Sequence, residues 1–96
     1  MAHVYVKLMA KGKKYHDHEM FPFQTTDNST IQDLANDLQS AFRERFQVFL
    51  DDNDSQKLRR ETIVLVNGAN VVSKQGLKTR VSDGDLIVFM IAAVGG

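Results

Sequence analysis

The sequence holds no cysteine and no tryptophan, a single proline at position 22, and no apolar run longer than the nine residues from Leu86 through Val94. Without cysteine there is no disulfide, no thiolate metal ligand and no sulfur nucleophile, so the fold stands on packing alone, and the usage fits a reducing compartment. The apolar run is well short of the roughly 20 residues that a bilayer-spanning helix needs, and no signal-peptide pattern opens the chain. The expectation is a soluble, cytoplasmic protein with no membrane partner. Excess charge is missing as well: twelve Lys and Arg stand against twelve Asp and Glu. A chain with no net field has little with which to displace counterions from a polyanion, so nucleic acid is not an expected partner.

What is present is an ordinary globular balance. Ninety-six residues, 43% apolar and 25% charged, make one domain spanning residues 1–96. At this size roughly 65% of the surface of an extended chain is buried on folding, enough for one thin core.

Residues 3–9 alternate, with Val4, Val6 and Leu8 against His3, Tyr5, Lys7 and Met9, the pattern of a half-buried strand. Residues 11–14 supply a turn around Gly12, and residues 15–23 return as an antiparallel partner. The facing of that partner is contradictory, because Met20 favours one inward face and Phe21 with Phe23 the other. Ser29 stands three residues before Gln32 in capping-box spacing. Beyond it Ile31, Leu34, Ala35, Leu38, Ala41, Phe42 and Phe46 fall at steps of three and four, which predicts one amphipathic helix from residue 31 to about 46. Residues 47–61 read as a solvated surface connection with a short extended piece at 48–50. Ile63-Val64-Leu65-Val66 is a strand-forming run, and Asn67-Gly68 behind it is a strong hairpin signal, because both turn positions need positive φ. The fourth strand is short, within residues 69–73, and residues 77–81 add a brief extended or 3₁₀ segment. Asp83-Gly84 turns the chain into a closing strand at 86–91. This order predicts a two-layer α+β domain of the β-grasp type, a mixed sheet of four to five strands with one main helix packed on one face. The last strand then lies in mid-sheet, parallel to the first.

A sheet covered by one helix should have one dry and one wet face, yet two of its strands have no polar side. Val64 and Val66 oppose Ile63 and Leu65, and Ile87, Phe89 and Ile91 oppose Leu86, Val88 and Met90. Two readings follow. Central strands tolerate extra apolar residues, which makes all of these core. Alternatively Ile63, Leu65, Leu86, Val88 and Met90 merge into an exposed apolar patch of the kind that marks a partner site.

After the final strand come Ala93-Val94-Gly95-Gly96. About four extended residues reach roughly 13 Å beyond a domain with little side-chain bulk, which suits residues 93–96 as a flexible tail entering a narrow channel. Its reactive group is the α-carboxylate of Gly96, with a reference pKa of about 3.5. A carboxylate is a poor electrophile and requires activation, to an acyl-adenylate or similar species, before a sulfide or amine can take it. Glycine suits that step because it has no stereocentre to epimerise.

The stretch Val64-Leu65-Val66-Asn67-Gly68, then Leu77-Lys78-Thr79, Asp83-Gly84-Asp85, Val88-Phe89 and the final Gly95-Gly96 resembles the ubiquitin-like sulfur carriers. That family includes the small subunit of molybdopterin synthase, the thiamine-pathway sulfur carrier, the small archaeal modifiers and the eukaryotic ubiquitin-related modifier. The resemblance implies a ubiquitin-like β-grasp fold and a carrier rather than an enzyme. It implies that Gly96 is adenylated by an E1-like adenylyltransferase, which consumes ATP, while the chain holds no permanent cofactor. The activated Gly96 then becomes a thiocarboxylate for sulfur transfer, as in molybdopterin biosynthesis or tRNA thiolation, or is joined to a protein lysine. The implied partners are the activating enzyme and a sulfur acceptor such as a molybdopterin synthase large subunit, or target proteins. They are engaged through the patch, Ala93 and Val94, with Gly95 and Gly96 in the active site. The reading from another class is a non-covalent interaction module whose Gly-Gly is incidental.

Other constellations carry less. In His16-Asp17-His18-Glu19 strand alternation brings at most two ligands together, so no metal site is expected. Lys74, Lys78 and Arg80 form a solvated face or flank the tail. Lys7, Lys11, Lys13 and Lys14 are possible conjugation targets, with nothing to select one. No glycine-rich phosphate loop and no nucleophile elbow is present.

Overall fold

The computed structural model describes residues 1–10, 20–54 and 56–91. Five strands among them form one sheet: β1 (Ala2–Ala10), β2 (Phe21–Thr25), β3 (Thr62–Val66), β4 (Ala69–Asn70) and β5 (Leu86–Ile91), in the order β2-β1-β5-β3-β4. β1 and β5 run parallel in mid-sheet and the other pairs are antiparallel. This is the mixed β-grasp sheet expected, with the main helix α1 (Ile31–Phe42) on one face. Ile31, Leu34, Ala35 and Leu38 of α1 share a core with Val4, Val6 and Leu8 of β1, Val64 and Val66 of β3, and Ile87 and Phe89 of β5. No helix among the described residues is long and apolar enough to cross a membrane.

The capping box forms one residue later than its spacing suggested. Thr30 Oγ1 accepts from the Asp33 amide and Asp33 Oδ2 accepts from the Thr30 amide, both at 3.1 Å. Ser29 is buried and otherwise engaged: its carbonyl accepts from the Val81 amide at 2.8 Å, and its hydroxyl lies 3.1 Å from Thr25 Oγ1, which also donates to Asp37.

The single helix expected to residue 46 is broken. Arg43 adopts φ 42°, and a short second helix α2 (Glu44–Gln47) follows. The break turns Phe46 and Phe49 back into the core, where both are fully buried against Phe89, with ring centroids 5.2 and 6.1 Å away. Strained backbone at a non-glycine residue costs roughly 1–3 kcal/mol. Fully burying one Phe contributes roughly 1.5–3 kcal/mol, so two of them outweigh the strain. Ala41, placed on the apolar stripe by its spacing, is exposed. Residues 47–61 are therefore not a surface connection throughout. Phe49 and Leu50 are core, Leu50 bridges Leu58, and the Phe49 carbonyl accepts from Arg59 N at 2.8 Å and Thr62 Oγ1 at 3.0 Å.

Pairing resolves the facing of β2. Val4 pairs with Phe23 and Val6 with Phe21, so both aromatics face the helix side against Phe42, while Met20 is 56% exposed. The part of this strand expected at 15–19, and the turn before it, lie outside the described residues. Asn67 (φ 51°) and Gly68 (φ 88°) make the expected turn. β4 stops after two residues because Asn70 Oδ1 accepts from the Val72 amide at 2.9 Å and starts a 3₁₀ turn at Val71–Ser73. The segment expected near residue 77 is a second 3₁₀ turn, Gly76–Lys78.

Phe46→Ala should cost about 3–5 kcal/mol in urea unfolding. Arg43→Gly, which removes the Cβ from the strained position, should leave the chain at least as stable as wild type; a loss above about 1 kcal/mol would show that the arginine side chain itself holds the break.

Candidate functional site

β5 has a strand on each side, so its backbone bonding is used up and only its two faces remain. Ile87 and Phe89 point into the core. Leu86, Val88 and Met90 point to the opposite face, which α1 does not cover. Across the β3–β5 pair Leu65 stands opposite Val88, and Ile63 opposite Met90. These five residues are half-buried and none belongs to the core cluster. The five are contiguous on the face opposite α1, half-buried where the patch reading expected them exposed.

β1 completes the face. Its parallel register sets Tyr5 beside Leu86, Lys7 beside Val88 and Met9 beside Met90. Tyr5 is 47% exposed, and Lys7 and Met9 are half-buried. Alternation alone assigns Tyr5, Lys7 and Met9 to the wet side of β1 and so hides their membership of the patch. The available signal was the parallel neighbour, since a strand lying beside β5 must extend the surface of β5. At the sheet edge Pro22 pairs with Tyr5. The Tyr5 amide donates instead to the Asp85 carbonyl at 2.8 Å, so the missing N–H of Pro22 faces away from the sheet.

The start of β5 is clamped. Asn67 Nδ2 donates to Asp85 Oδ1, and Asn67 Oδ1 accepts from the Leu86 amide, both at 2.9 Å. Asp85 Oδ2 accepts from the Ser82 amide at 2.7 Å, and Asp83 Oδ1 from the His3 amide at 2.8 Å. The Gly84 amide donates to the His3 carbonyl at 2.7 Å. The Asn67-Gly68 and Asp83-Gly84-Asp85 motifs therefore interlock two turns and set the register of β5. They sit at its beginning, and the chain leaves at its end, six residues away.

Ala93, Val94, Gly95 and Gly96 lie outside the described residues, as do His16 and His18. Among the described residues no group of three His, Asp or Glu is placed to hold a metal ion. His3 is exposed, with Nδ1 3.4 Å from Gln24 Nε2. Lys74, Lys78 and Arg80 are exposed.

Residues 6–96 match the model of the ThiS family. No curated protein is significantly similar in sequence. Among solved structures, small archaeal modifier protein 1 from Methanosarcina acetivorans is 25% identical, with a TM-score of 0.78 over 100% of this chain and 98% of that one. CysO, in the BexX/CysO complex of Amycolatopsis orientalis, is 24% identical, with a TM-score of 0.68 over 97% and 99%. Urm1 from Trypanosoma brucei is 20% identical, with a TM-score of 0.68 over 100% and 99%.

Leu65→Asp should keep cooperative unfolding with a loss within about 2 kcal/mol. Val64→Asp, one residue away but only 3% exposed, should abolish folding. Circular dichroism with urea titration separates the two, and equal losses would place Leu65 in the core.

Proposed function

The chain belongs to the ThiS family of ubiquitin-like sulfur carriers, and from that premise we propose that it carries its cargo on the carboxylate of Gly96. An E1-like adenylyltransferase docks on the patch formed by Ile63, Leu65, Leu86, Val88 and Met90, with Ala93 and Val94 spanning to the active site. There the Gly96 carboxylate attacks the α-phosphate of ATP and pyrophosphate leaves, giving an acyl-adenylate. A sulfide equivalent then displaces AMP to leave a thiocarboxylate, which passes its sulfur to an acceptor enzyme of the molybdopterin synthase large-subunit kind or to a tRNA-thiolating one. The ATP is consumed by the activating enzyme, and this chain serves as carrier, in the cytoplasm, without a resident cofactor.

What supports this reading is a position. The uncovered apolar face runs to Met90, one residue before the end of β5 at Ile91, and the segment leading to Gly95-Gly96 begins directly after Ile91. A partner seated on that face is within the roughly 13 Å that four extended residues span. The complex of the similar CysO with BexX is an instance of such a carrier paired with a second protein.

A second reading, conjugation, has support in the likeness to the small archaeal modifier protein. The same adenylate serves it: a lysine ε-amine attacks the acyl carbon, AMP leaves, and an isopeptide bond forms. A purely non-covalent module is separated from both by one deletion.

Removing Gly96 should abolish acyl-adenylate formation with the host's activating enzyme while leaving the circular dichroism unchanged. Retained function would support the non-covalent module. In protein from the host, a mass increase of about 16 Da localised to the C-terminal peptide is expected for a thiocarboxylate. Localisation matters because one methionine sulfoxide adds nearly the same mass and the chain has four methionines.

A further inference from the structure

Methionine usually fills irregular gaps in cores, yet none of the four methionines here is in the core. Met1 and Met20 are exposed at the start of the chain and before β2. The other two are brought together by the fold. Met9 of β1 and Met90 of β5 are register partners across the central parallel pair, on the face that α1 leaves uncovered, and Met90 also stands opposite Ile63. Neighbouring strands lie about 4.8 Å apart, so the two thioethers share one apolar spot. Both are half-buried, so neither side chain is sealed from solvent. The spot lies at the end of the sheet where the chain leaves β5, one residue before Ile91. A partner docked on this face as proposed above covers it.

We propose that Met9 and Met90 form a reversible oxidation site that switches off docking on this face. The inference rests on the docking role proposed above. The oxidant is of the hydroperoxide class. The thioether sulfur attacks the terminal peroxide oxygen, an S–O bond forms as the O–O bond breaks, and the remaining oxygen leaves as water or alcohol after taking the proton. Sulfur is oxidised by two electrons and the peroxide reduced by two. The product is a polar, chiral sulfoxide whose oxygen loses its water when a partner covers it; Ile63 and Val88 beside the pair offer no hydrogen-bond donor in exchange, and the donor closest in register on this face is Lys7, two residues from Met9. Lacking cysteine, the chain has no thiol to intercept the oxidant first. The fold is spared because the core holds no methionine.

The test titrates the full-length chain, reduced or treated with dilute hydrogen peroxide, into the host's purified activating enzyme by calorimetry, with oxidised positions mapped by peptide fragmentation. Protein carrying both sulfoxides should keep its circular dichroism and bind about ten-fold or more weakly. Methionine sulfoxide reductases of both stereospecificities should restore binding, and Met90→Gln should weaken it without oxidant. In a Met9→Leu, Met90→Leu double variant, peroxide should no longer change the affinity from its own untreated value. Unchanged binding by protein oxidised at both positions would overturn the switch, as would loss of fold on oxidation. The reduced Leu65→Asp protein reports on docking separately. If it remains folded and binds like reduced wild type, docking on this face is wrong; if it binds weakly while the sulfoxides have no effect, docking stands and the switch fails.

Discussion

The parallel pairing of β1 with β5 is the constraint from which the other features follow. Parallel neighbours cannot be joined by a tight turn, so the chain between them must cross from one side of the pair to the other, and here α1 and the aromatic turn at residues 43–50 carry it from β2, beside β1, to β3, beside β5. Closing so long a loop costs only modestly more than closing a short one, because the entropy grows with the logarithm of length. Once β5 is between β1 and β3 it has no free edge. Its inner side chains complete the core with Phe46 and Phe49, and its outer side chains lie on the face that α1 leaves uncovered.

Much of this was legible from residue pattern. Alternation in β1, the three-and-four spacing of α1 and the Asn67-Gly68 turn are local signals, each produced by the geometry of one element. What was not legible depends on contacts between elements. Thr30 caps α1 in place of Ser29, which is buried with its hydroxyl against Thr25 and its carbonyl bound to the Val81 amide, more than fifty residues on. The helix stops at Phe42 because Phe89, also distant, offers a place for Phe46 and Phe49. A helical stripe extending through Phe46 has the same spacing whether or not the chain turns at Arg43, so periodicity cannot see the break.

The candidate site divides in the same way. Ile63, Leu65, Leu86, Val88 and Met90 could be named because two adjacent strands without a polar side leave few alternatives. Tyr5 and Met9 could not, since their strand has an acceptable wet face when read by itself. The resemblance motifs turn out to be chiefly architectural. Asn67, Asp83 and Asp85 bind turns together at the start of β5, and the segment to which chemistry is attributed departs from its other end.

That separation has a mechanical consequence. Because β1 and β5 are parallel, the amino end of the chain and the exit to the tail lie at opposite ends of the central pair. Tension between them pulls the two strands past each other along their length, across the evenly spaced, slanted hydrogen bonds of a parallel ladder. Such bonds are loaded together instead of one at a time, with the Asn67–Asp85 clamp holding the trailing end of β5. A machine drawing on the tail would therefore meet the sheet at its most resistant orientation, and the tail could be worked on while the domain stayed folded.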